Sequence, residues 1–117
     1  FSSADVIILD EPTLGMDGFL IKELADMIKK LSAEGKTVIM ISHEIPLVFK
    51  TVDEAIILNQ GEKIFEGSKE SLARRDDIFD HINIQLPPVV LLSKALGLDE
   101  ICYSVEEFAA KIVERNV

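Results

Sequence analysis

Tryptophan is absent from the 117 residues, and tyrosine and cysteine occur once each. A lone Cys102 excludes an internal disulfide and suits a reducing cytosol, where such a thiol is expected as a small buried apolar residue. Basic residues are scarce too: twelve Lys and Arg stand against twenty-one Asp and Glu, a formal charge of −9. That balance argues against a nucleic-acid surface, which needs Lys and Arg clustered against phosphate. The one dense basic pair, Arg74-Arg75, is followed at once by Asp76-Asp77. Long apolar runs are missing as well. Nothing approaches the roughly twenty residues of a membrane-spanning helix, and no signal-peptide pattern is present. Direct membrane insertion is therefore not expected, and any membrane connection would run through a partner.

Hydrophobic residues make up 48% of the chain, enough for the core of one small domain. They concentrate first in Val6-Ile7-Ile8-Leu9, which leads directly into Asp10-Glu11-Pro12. Such a run reads as a strand covered on both faces in an α/β sheet, and Pro12 ends its ladder. Carboxylates at a strand's C-terminal end lie on the edge where open parallel sheets bind ligands. Because successive residues of an extended chain point to opposite sides, Asp10 and Glu11 are expected to differ in role, one toward a metal and one toward water. The plainer alternative is a solvated turn before a helix.

The string Leu9-Asp10-Glu11-Pro12-Thr13, with Gly15 and Asp17 after it, resembles the Walker B segment and D-loop of ATP-binding-cassette (ABC) ATPases. The resemblance implies that Asp10 holds Mg²⁺, usually through water, that Glu11 is the general base for hydrolysis of ATP, and that Leu14, Gly15, Met16 and Asp17 face a second ATPase subunit, identical or not.

Downstream, Phe19, Leu20, Leu24, Met27, Ile28 and Leu31 recur at helical spacing, which predicts an amphipathic helix over about 18–33. Gly35 supplies the left-handed stop. Thr37-Val38-Ile39-Met40-Ile41 is a second apolar strand, and the strand-helix-strand order predicts a right-handed parallel crossover. It ends in Ser42-His43-Glu44. A lone histidine there is ordinarily structural, but its position matches the H-loop of the same family, so the resemblance implies that His43 contacts the γ-phosphate and the attacking water. A short helix is expected from Pro46 to about Thr51. Ala55–Leu58 and Lys63–Glu66 flank Asn59-Gln60-Gly61-Glu62 as a hairpin. Ser68 can cap a helix over about 69–73.

A composition shift at Gln85-Leu86-Pro87-Pro88 marks a boundary, so residues 1–84 and 85–117 are read as separate parts. Pro88, Val89, Leu91, Leu92, Ala95 and Leu96 suggest an apolar-faced helix ending at Gly97. Ser104 and Glu107 form a capping box before a helix from Val105 to about Glu114. This C-terminal pattern is similar to the extension of cobalt-type and energy-coupling-factor ATPases, which power uptake of a vitamin or metal ion.

Gly35-Lys36-Thr37 imitates the tail of a phosphate-binding loop but fails as one. The loop's earlier glycine would fall at Lys30, and here a helix leads into a strand rather than the reverse. The chain opens on Phe1 rather than Met, and it carries no Walker A loop, Q-loop or Leu-Ser-Gly-Gly signature. It is thus expected to be the C-terminal half of an ATPase domain, inactive alone. In the family the phosphate-loop strand lies between the two strands at Val38–Ile41 and Ala55–Leu58, so its absence is expected to leave open edges that rearrange or self-associate.

The fold expected is α/β, a partial RecA-like P-loop NTPase sheet in which the Walker B and H-loop strands run parallel and a β-hairpin follows, with a small C-terminal helical extension. The resemblance implies a transport-coupled ATPase, cytoplasmic and peripheral on the inner face of the cell membrane through transmembrane transporter subunits. The alternatives are a soluble ABC ATPase of translation or DNA repair and a non-catalytic regulatory or scaffolding domain.

Overall fold

The crossover expected between the two apolar strands is present. The computed structural model describes residues 5–115, and residues 1–4 and 116–117 lie outside it. Within this span the chain forms two compact units divided after Thr51.

The first unit runs β1 (Val6–Asp10), α1 (Gly18–Ala33), β2 (Thr37–Ile41) and α2 (Ile45–Thr51). Its strands pair in parallel, from Val6 opposite Thr37 to Asp10 opposite Ile41. Asp17 caps the start of α1, and Gly35, at φ 90°, turns the chain back after its end. Leu24, Ala25, Ile28 and Leu47 form the core, with Leu9, Val38 and Met40 packed against it. Ile7 is buried on the same face of β1.

Two expectations about burial need correction. The strands are covered on one face only: Val6, Ile8, Ile39 and Ile41 are exposed, Ile8 at 65%. A run that is apolar at every position carries no alternation to say which face is packed, and one layer of helix covers one face of a two-stranded sheet. In α1, Phe19 and Leu20 are likewise exposed, and the buried stripe begins one turn later at Leu24.

The second unit begins with β3 (Glu54–Asn59) and β4 (Glu62–Ser68), paired antiparallel with a bulge between Ile57 and Leu58. Gln60 and Gly61 make the turn with φ of 49° and 79°, the double positive φ of a type I′ hairpin. Helices α3 (Lys69–Ala73), α4 (Asp76–Ile82), α5 (Pro88–Ala95) and α6 (Val105–Arg115) follow. Ser68 Oγ accepts from the Ser71 amide at 3.1 Å and starts α3 as expected. Ser104 Oγ accepts the Glu107 amide at 3.1 Å, while Glu107 Oε2 reaches back to the Tyr103 amide at 3.5 Å. The buried side of α5 differs from the one expected: Val90 and Ser93 are buried, whereas Leu91, Leu92 and Leu96 are exposed. Ser93 tolerates burial because its hydroxyl donates to Val89 O at 2.8 Å and accepts the Cys102 amide at 3.0 Å. Cys102 is itself buried and free.

Among the described residues, β2 pairs only with β1 and β3 only with β4. No described helix is long and apolar enough to cross a membrane.

Candidate functional site

Both strands of the first unit end on the same rim, and the acidic pair and the imidazole leave from there. Asp10 is the last residue of β1, exposed and opposite Ile41. The next amide, that of Glu11, donates to Ile41 O at 2.7 Å, and the ladder stops. Pro12 cannot continue it, having no N–H.

Glu11 does not keep the alternation of the strand. Its φ is 47°, in the left-handed region that side chains seldom adopt. Strand alternation alone therefore does not send Asp10 and Glu11 to opposite sides, because Glu11 has left the extended conformation. Sparsely populated backbone of this kind concentrates at functional sites, where surrounding contacts hold it. Two contacts hold Glu11: the amide bond to Ile41 and a side-chain bond in which His43 Nδ1 lies 2.7 Å from Glu11 Oε1.

That second bond joins residues thirty-two positions apart. A carboxylate only accepts, so Nδ1 carries the proton, leaving Nε2 of His43 and Oε2 of Glu11 for other partners. The His43 side chain is 78% exposed and that of Glu11 27%. A side-chain contact so open to water contributes about 1 kcal/mol or less to stability, so the pairing is not explained by what it adds to the fold.

The residues expected at a subunit interface divide. Leu14 is exposed and Gly15 turns the chain at φ 77°. Met16 packs partly against the core, its amide bonded to Thr13 O at 3.0 Å. Asp17 Oδ1 accepts the Leu20 amide at 2.9 Å, a capping role that the sequence reading missed although Asp before an apolar-periodic helix signals it. Also missed was Ser42, whose Oγ accepts the Glu44 amide at 3.0 Å beside the imidazole.

Among the described residues, no three His, Cys, Asp or Glu side chains gather as a self-sufficient metal cluster. A rim offering one or two carboxylates suits Mg²⁺, which binds through so few and keeps waters and phosphate oxygens as its other ligands. Asp10, exposed at the strand end, could supply one such carboxylate.

Comparison with known proteins gives a consistent picture. The chain is 38% identical, over 91 residues, to an energy-coupling factor transporter ATP-binding protein, EcfA2, of Staphylococcus saprophyticus; the match covers 77% of this chain and 32% of the relative. It is 30% identical over 112 residues to a putative ABC transporter ATP-binding protein of Nostoc sp., covering 94% of this chain and 40% of that one. Among solved structures, cbiO1 from Clostridium perfringens, described as part of the ABC transporter complex cbiONQ, matches with a TM-score of 0.53 and 26% identity over 77% of this chain and 36% of its own. No family model matches the chain. The chain thus spans about a third of the length of the relatives it resembles, and those relatives are ABC transporter ATP-binding proteins.

Proposed function

We propose, from the premise that this chain is homologous to the ATP-binding proteins of ABC transporters, that it forms the hydrolytic rim of such an ATPase, of the energy-coupling-factor or cobalt type. Residues 1–84 are then the C-terminal half of the nucleotide-binding domain and 85–117 its helical extension. The observation that carries the reading is the 2.7 Å bond between Glu11 and His43, which brings two residues from separate strand ends to one point.

In this reading Glu11 is the general base. One carboxylate oxygen is engaged by His43, and the other accepts the proton of the attacking water. His43 donates from Nδ1 to Glu11, and Nε2, which donates when the ring carries a proton on both nitrogens, faces the γ-phosphate and that water. Asp10 holds Mg²⁺, which when bound neutralises charge on the phosphates. Leu14, Gly15, Met16 and Asp17 form the contact to a second ATPase subunit, and transmembrane subunits convert hydrolysis into import of a vitamin or metal ion from a position on the inner face of the membrane.

The test is Glu11→Gln in the intact ATPase. Turnover falls by roughly 10²–10⁴, the usual worth of a general base, while ATP binding persists. Unchanged turnover removes Glu11 from the mechanism.

A further inference from the structure

We propose that Ser42 is a positioning residue for His43, a role that rests on reading Glu11 and His43 as the hydrolytic pair. Ser42 stands between Ile41, the last residue of β2, and the imidazole. Its Oγ accepts the Glu44 amide at 3.0 Å, closing a turn whose one enclosed residue is His43. The turn is anchored on both sides. Before it, Ile41 O takes the Glu11 amide; after it, Glu44 O takes the Val48 amide at 3.0 Å as α2 begins.

Packing does not fix the ring, since its side chain is 78% exposed. An exposed side chain samples its staggered rotamers freely unless something selects one. Here the selection comes from the Nδ1 bond to Glu11 together with the backbone direction set by the turn. Serine hydroxyls build such turns by bonding the backbone two residues on, and threonine does the same. Removing the hydroxyl leaves the Glu44 amide to water and loosens the turn between its two anchors, so the imidazole swings off Glu11. A serine that merely satisfied an amide would leave the ring where it is.

Nitrogen-15 spectra of the histidine rings in the 117-residue chain, without nucleotide, distinguish the two roles. The chain has two histidines, so His81 serves as an internal reference. The wild type shows a protonated, hydrogen-bonded Nδ1 at His43. Ser42→Ala loses that signature while His81 and the amides of α1 keep their shifts, and Ser42→Thr restores it. The proposal is overturned if the signature survives Ser42→Ala, if threonine fails to restore it, or if the α1 amides collapse along with it. Glu11→Ala separates the underlying reading: a Nδ1 signature that persists there means the pair does not form, whatever Ser42 does.

Discussion

Asp17 Oδ1 accepts the amide of Leu20 at 2.9 Å, so a residue expected to face another subunit also starts the longest of the described helices. Asp17→Ala should cost about 1 kcal/mol, the usual worth of an N-cap, and Asp17→Ser should recover most of it. Urea denaturation checks this through a lower midpoint at unchanged slope. An unaltered midpoint would show that the Asp17 cap adds nothing to the stability of the fold.

The single tyrosine provides a pH-dependent prediction. Burial pushes the Tyr103 hydroxyl from its ordinary 10.0 up to about 12, and the charge of Glu70 adds to the shift. Because the folded value lies above the unfolded one, the folded state keeps a proton that the unfolded chain loses. The stability linked to it is complete below about pH 10 and is lost as pH rises toward 12. Tyrosinate absorbance should titrate near 12 in the native chain and near 10 in urea, and Tyr103→Phe should remove this part of the alkaline sensitivity. A native midpoint near 10 would show that Tyr103 is solvated.

The 117-residue chain has no glycine-rich loop to cradle a triphosphate. Calorimetric titration with Mg-ATP should therefore give no binding heat, even though Asp10, Glu11 and His43 stand at one rim. Tight binding would mean that the chain holds nucleotide by a route other than the one proposed.

Much of the fold was legible because local signals agreed. The helical spacing and Gly35 fixed the bounds of α1, Gln60-Gly61 the hairpin turn, and Ser68 and Ser104 the starts of α3 and α6. What failed was the reading of burial. Val6-Ile7-Ile8-Leu9 and Val89-Val90-Leu91-Leu92 are apolar at every position, so only tertiary packing decides that Ile7 and Val90 go in while Ile8 and Leu92 stay out. The candidate site was legible as residue types at strand ends. Its geometry was not, because the left-handed backbone of Glu11 contradicts the alternation that strands obey and is held by partners distant in sequence. Asp17 and Ser42 were present as cap and turn residues, but each was read for its motif rather than for its hydrogen bond.

Turnover of Glu11→Gln, His43→Ala and the double variant in the longer ATPase proposed to carry this chain is the most direct test. Residues acting as one unit show non-additive losses, so the double variant should be about as slow as the slower single one. If instead the two losses multiply, Glu11 and His43 work independently, and the 2.7 Å bond between them has no part in hydrolysis.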